Sequence, residues 1–214
     1  SVTLDNGDFL DGNPLGRLLA QGGRLRPGQV HPVIAAMNAV GYDAVGLGNH
    51  EFSHGLDFLV RALRRARFPI LSSNAVRHLG TDATADAPFV ATSLILERSL
   101  AHADGTEAPI RIGLLSLLPP QLEVWEARQI GGRIRTRDIV EAAGAWSSDL
   151  RARGADLVVA LCHSGIGGAE PHPMMENAAV PVARLDGIDV IVSGHSHAAF
   201  PGPDTPQTAD VDPV

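Results

Sequence analysis

The chain has 214 residues, of which 44% are hydrophobic and 19% charged, with a formal net charge of −7. That is an ordinary globular composition, long enough for one domain with a sizeable core. It excludes a basic nucleic-acid groove, so any nucleotide ligand is small rather than polymeric, and phosphate, repelled at long range, needs local cations.

Val2–Leu4 is a short strand running into Asp5-Asn6-Gly7-Asp8. The chain thus opens already in a strand pattern, which reads as a truncated N-terminus and leaves targeting open. Pro14–Ala20 is a helical turn. His31–Val40 is a helix, with Pro32 near its first turn and Gly41 past its end. Ala44–Leu47 is a buried strand. Leu56–Arg67 is a helix with Leu56, Leu59, Val60 and Leu63 on one face, while Arg61, Arg64, Arg65 and Arg67 form a solvated face. Pro69–Ser72 is a strand, and Thr81–Ala87 reads as a flexible surface insertion. Phe89–Glu97 and Ile110–Leu117 form an antiparallel hairpin at a sheet edge. Thr136–Arg153 is a helix, Leu157–Leu161 a strand, Val180–Leu185 a short helix and Val190–Val192 a strand. No apolar run reaches the roughly 18 residues that would span a membrane, and the single cysteine, Cys162, excludes an internal disulfide.

Strands alternating with helices argue an α/β fold. Four strands end in a glycine-flanked polar cluster: Gly7-Asp8, Gly48-Asn49-His50-Glu51, Cys162-His163-Ser164-Gly165 and Gly194-His195-Ser196-His197. Ligands in open α/β sheets sit beyond the carboxyl ends of the strands. The pattern therefore aims Asp8, Asn49, His163, His195 and His197 at one region. Carboxylate, amide carbonyl and imidazole suit manganese, iron, zinc, cobalt or nickel better than a thiolate-loving metal. Two such ions can clamp the attacking and leaving oxygens of a phosphoryl displacement.

These clusters resemble the calcineurin-like metallophosphoesterases. Gly48-Asn49-His50-Glu51-Phe52 and Gly55-Leu56-Asp57-Phe58-Leu59 are similar to the 5′-nucleotidase branch. Asn6-Gly7-Asp8, Gly12-Asn13-Pro14-Leu15-Gly16, His163-Ser164-Gly165-Ile166, Glu176-Asn177-Ala178 and Gly194 through Gly202 resemble its periplasmic 2′,3′-cyclic-nucleotide 2′-phosphodiesterase/3′-nucleotidase members. The resemblance implies a layered α/β/β/α sandwich of mostly parallel sheets with an antiparallel edge hairpin. It implies two divalent metal ions, with Asp8 bridging them, Asn49, His163 and His195 on the second and His197 on the first. His50 would be the catalytic side chain over the phosphate. It also implies a small nucleotide substrate, a periplasmic location and a separate C-terminal substrate-binding domain. On this reading residues 1–200 are the catalytic domain without its first strand, and residues 201–214 are a linker.

Two departures qualify that expectation. The family's first strand ends in Asp-x-His, and Asp5 is the only carboxylate before Asp8. One metal then has four candidate ligands and the other only Asp8 and His197, so the chain is expected to hold one ion well and a second poorly. Ser53 stands where 5′-nucleotidases carry an aspartate that orients the histidine, so His50 is expected to be less basic, in keeping with the cyclic-phosphodiesterase branch. Cys162 is expected to pack as a small core residue. His31, His54, His78, His102 and His172 are expected at the surface, and Glu51 is expected to be a first-turn acid serving the helix dipole. The rivals are a 5′-nucleotidase or the related di-manganese thiosulfohydrolase and, from another class, a metal- or nucleotide-binding module without catalysis.

Overall fold

The computed structural model describes residues 1–21, 24–101, 103–200 and 202. Two parallel sheets lie at its centre. The first has the order β1-β2-β3, from β1 (Leu4–Asp5), β2 (Ala44–Gly46) and β3 (Ile70–Leu71). The second joins β6 (Ser93–Ala101), β7 (Glu107–Leu117), β9 (Leu157–Cys162) and β10 (Val190–Ser193) in the order β10-β9-β7-β6. Only β6 runs antiparallel, as the expected edge hairpin, paired from Ser93–Leu115 to Ala101–Glu107. A third, small antiparallel sheet of β4 (Ala75–His78), β5 (Ala87–Pro88) and β8 (Arg135–Thr136) was not anticipated; its strands are too short to carry a periodic signal.

The apolar clusters define the layers. Ala44, Leu71, Leu96 and Leu114 are buried together with Val2, Leu4 and Val159 packed on them, between the two sheets. On the outer side of the first sheet, Val45 and Leu47 meet α2 (Pro32–Val40) and α3 (Leu56–Leu63) through Ile34, Met37, Phe58 and Leu59. On the outer side of the second, Leu115, Val158 and Cys162 meet α6 (Ile139–Ala152) and α7 (Ala179–Ala183) through Ala142, Trp146 and Val182. The result is the α/β/β/α sandwich.

Local signals set the helix limits. Asn13 caps α1 (Pro14–Ala20) by accepting from the Gly16 N–H at 2.8 Å. Gly41 ends α2 with φ of 81°. Asp138 caps α6 through the amides of Val140 and Glu141, so that helix starts three residues later than Thr136. Helix α3 stops at Leu63, and Arg61, Arg64, Arg65 and Arg67 beyond its core face are exposed as expected. Its buried face is Leu56, Phe58, Leu59 and Ala62, whereas Val60 is exposed.

Three further expectations change. The Thr81–Ala87 stretch is anchored: Ala83 is fully buried against α6, and Asp86 is gripped by Arg137 at 2.6 and 2.8 Å. His31 is buried rather than at the surface, edge-on to Phe58 with ring centroids 5.8 Å apart, and burial lowers its pKa. His54 is half-buried, 3.2 Å from Asp11. His78 and His172 are exposed. His102 and the 201–214 linker, Gly202 apart, lie outside the described residues.

Candidate active site

The carboxyl ends of β1 and β2 meet those of β9 and β10 across the sandwich. Asn6 joins them. Its side-chain amide donates to the carbonyls of Val192 at 3.0 Å and Cys162 at 3.3 Å, and its own carbonyl faces Nδ1 of His163 at 2.8 Å. A ring nitrogen facing a carbonyl must carry the hydrogen, so neutral His163 presents the lone pair of Nε2. That atom lies 3.0 Å from Oδ2 of Asp8, outside hydrogen-bond geometry, and is buried without a hydrogen-bond partner.

Asp8 is held by its surroundings as much as by its strand. Its Oδ1 accepts from the His50 N–H at 2.9 Å, and its own N–H donates to Glu51 at 2.7 Å. The loops carrying Asp8 and Asn49 touch so closely that side chains are excluded. A Cβ on Gly7 would sit 2.3 Å from the Gly48 nitrogen, and one on Gly48 would sit 2.3 Å from Oδ1 of Asp8. Asn49, also buried, places Oδ1 3.1 Å from Nδ1 of His195. The other nitrogen of His195 lies 2.9 Å from Oε1 of Glu176, and its ring stacks on Trp125 at 5.5 Å and 23°. The His163 and His195 rings are 5.5 Å apart.

Asp8, Asn49, His163 and His195 are therefore brought together as two pairs. His197 is exposed, and among the described residues no hydrogen bond or ring contact ties it to the other four; it lines, with His195, a surface cavity of about 220 Å³. Nor do three His, Cys, Asp or Glu side chains among the described residues converge on one point. His50 is exposed beside Asp8, on a 3₁₀ turn spanning His50–Phe52. Cys162 is fully buried and its thiol is pushed up to about 12 by that burial, as a core residue.

The backbone is strained in the same place. Four non-glycine residues among those described have positive φ, and three are Asp8 (65°), His195 (67°) and His197 (53°). Each such residue costs about 1–3 kcal/mol, and they gather at functional sites. Burial opposes the ionisation of Asp8, but contact with His163 and the His50 amide outweigh it and hold the carboxyl below its ordinary value. Burial likewise opposes a charge on His163, and Asp8 outweighs it, raising that imidazole.

Five neighbours were not anticipated as site residues: Asn6, Glu51, Trp125, Glu126 and Glu176. Glu51 is a first-turn acid as expected, but its carboxylate serves neighbouring loop amides rather than the helix dipole alone. It is 1% exposed and accepts from the amides of Asp8, Gly48 and Leu10 at 2.7, 2.7 and 3.0 Å. Burial and the Asp8 charge push it up to about 7, against the pull of those three donors. Glu176 lies within a motif already singled out, whereas Trp125 and Glu126 carry no sequence signal.

A divalent cation fits these residues. Carboxylate, amide and imidazole donors are assembled, and an orphaned, buried His163 Nε2 is presented with its opposite nitrogen anchored on a carbonyl, as in histidines that ligate metals.

Comparison with known proteins accords with this geometry. The family described as calcineurin-like phosphoesterase matches residues 1–199. The 2′,3′-cyclic-nucleotide 2′-phosphodiesterase/3′-nucleotidase of Salmonella typhimurium is 39% identical over 204 residues, which is 95% of this chain and 31% of that protein. The snake venom 5′-nucleotidase of Gloydius brevicauda is 31% identical over 77% of this chain and 25% of its own. The crystal structure of the calcineurin-like phosphoesterase YfkN from Bacillus subtilis superposes with a TM-score of 0.88 at 36% identity, over 99% of this chain and 63% of that one. The chain spans about a third of the length of the first of these curated relatives.

Proposed function

The chain belongs to the calcineurin-like phosphoesterase family, and from that premise we propose that it is the catalytic domain of an enzyme hydrolysing nucleotide phosphoesters, a 2′,3′-cyclic-nucleotide 2′-phosphodiesterase and 3′-nucleotidase. The observation that carries the proposal is the meeting of Asp8 and His163 from two different sheets, 3.0 Å apart, with Asp8 in a strained backbone conformation.

Members of this family work with divalent metal ions. Asp8, Asn49, His163, His195 and His197 would hold two of them, of the manganese, zinc, iron, cobalt or nickel type that accepts oxygen and nitrogen donors. When bound, such ions supply Lewis acidity and neutralise phosphate charge. The chain's own residues do the rest. The Asn6 carbonyl fixes the ring of His163. Glu51 clamps the backbone of Asp8 and the adjoining Gly48 loop. His50, exposed beside Asp8, faces the phosphoester, and in its imidazolium form donates to an oxygen there as negative charge develops. With a net charge of −7 the protein repels nucleotides at long range, so their capture depends on the cations at the site.

The same proposal places residues 1–200 in the catalytic domain, base recognition in a further C-terminal domain, and the protein in the periplasm. Relatives about three times as long support the second point. Assaying the full-length gene product with manganese against 2′,3′-cyclic AMP, 3′-AMP and 5′-AMP tests the activity. Turnover of the first two is expected. A preference for 5′-AMP would instead establish the 5′-nucleotidase reading, which the venom relative supports. No turnover of any of the three would leave a binding module.

A further inference from the structure

Ser53 is the middle of a three-residue chain. Its hydroxyl donates to Oε1 of Glu126 at 2.7 Å, and Nδ1 of His50 lies 3.2 Å from the Ser53 Oγ itself. A serine hydroxyl has one proton. With that proton on Glu126, only lone pairs remain for His50, so its Nδ1 must be the donor. Nε2 is then left at the exposed edge of the ring with its protonation free to serve a ligand.

Glu126 is an unusual residue to find there. It is 8% exposed, arrives from the junction of α4 (Leu122–Trp125) and α5 (Ala127–Ile130), and among the described residues has Ser53 as the one hydrogen-bond partner of its carboxylate. Burying a carboxylate on a single hydroxyl costs stability rather than adding it. The neighbouring residue points the same way, since Trp125 stacks on His195. One dipeptide outside every motif thus reaches the exposed His50 through Ser53 and stacks directly on the half-buried His195.

We propose that Glu126 is a positioning residue that acts through the Ser53 hydroxyl to fix the tautomer and ring orientation of His50. The inference rests on the reading of His50 as the side chain that faces the phosphoester. The carboxylate that Ser53 lacks is supplied from 73 positions away.

The test is ring-nitrogen NMR of His50 in this chain, at a pH where the imidazole is neutral, together with kinetics of the full-length gene product on 3′-AMP. The unsubstituted chain is expected to show the Nδ1–H form. Ser53→Ala and Glu126→Leu should move it to the Nε2–H form that free imidazole prefers. Ser53→Asp combined with Glu126→Leu should restore Nδ1–H, because the carboxylate then contacts the ring directly. In the kinetics, kcat should fall about 10- to 100-fold in the first two variants with KM within about twofold, and recover in the third. An Nε2–H form in the unsubstituted chain, or a tautomer indifferent to Glu126→Leu, overturns the proposal. A tautomer that moves while kcat does not upholds the positioning and removes His50 from the chemistry instead.

Discussion

The carboxylate of Glu51 accepts the backbone N–H of Asp8 at 2.7 Å, tying a residue of left-handed conformation to the loop that carries Asn49. The same carboxylate takes the buried amides of Gly48 and Leu10, so one buried side chain satisfies three backbone donors. Glu51→Gln turns an amide group toward N–H donors and strands at least one of them. The expected loss is about 1–3 kcal/mol of stability, read as a lower urea midpoint with an unchanged m-value. An unaltered midpoint would show that the loops hold Asp8 without Glu51.

Stability in the presence of a chelator should depend on pH through three groups. Asp8 is lowered from 3.8, so its contribution is present above that value and is lost as pH falls through its folded pKa. His163 is raised from 6.5, so its contribution is present below 6.5 and is lost as pH rises through its folded pKa. Glu51 is raised from 4.5 to about 7, so its ionisation draws stability down as pH climbs between those values. Together they predict a maximum on the acid side of neutrality and a fall toward alkaline pH. Urea titrations with EDTA from about pH 4 to pH 9 measure it, and a profile still rising through pH 8 would contradict the assignment.

Much of this site was legible because the chemistry sits at strand ends. Asp8, Asn49, His163 and His195 follow short apolar runs, and a turn with glycine beside it leaves few places for them to go. The hairpin was legible for a similar reason, as two long β-rich runs joined by a turn. What escaped has a common physical cause. Glu51 looks like a helix-dipole acid until three amides are seen to converge on it. His31 looks polar and ends at 0% exposure against Phe58. Glu126 lies at the junction of two helices too short to be periodic, and its contact with the site is made 73 positions back. Long-range partners of this kind leave no local pattern.

Metal binding by this chain should be unequal. Asp8, Asn49, His163 and His195 offer one ion a set already paired within about 3 Å, whereas His197 stands apart and exposed. One tight manganese or zinc equivalent and a second, much weaker one are expected by calorimetry. Because the cation displaces the proton that Asp8 favours on His163, binding should release protons and tighten as pH rises through the histidine range. Two equally tight equivalents would mean that other side chains complete the second position.

Trp125 offers a separate handle on the same centre. Its indole stacks on the His195 ring at 5.5 Å while remaining 42% exposed. Losing an indole from so open a position removes little core, so Trp125→Ala should fold with a near-normal urea midpoint. The stacked contact, however, helps set the angle of His195, together with Asn49 and Glu176 on its two nitrogens and the edge of His163. Aromatic pairs of this kind contribute about 0.5–1.5 kcal/mol, which predicts a fall of roughly 2- to 10-fold in affinity for the more tightly held metal ion. Trp125→Phe should retain most of it. If the alanine variant binds the ion as tightly as the parent chain, the hydrogen bonds alone orient His195 and the stacked indole serves only to shield it from water.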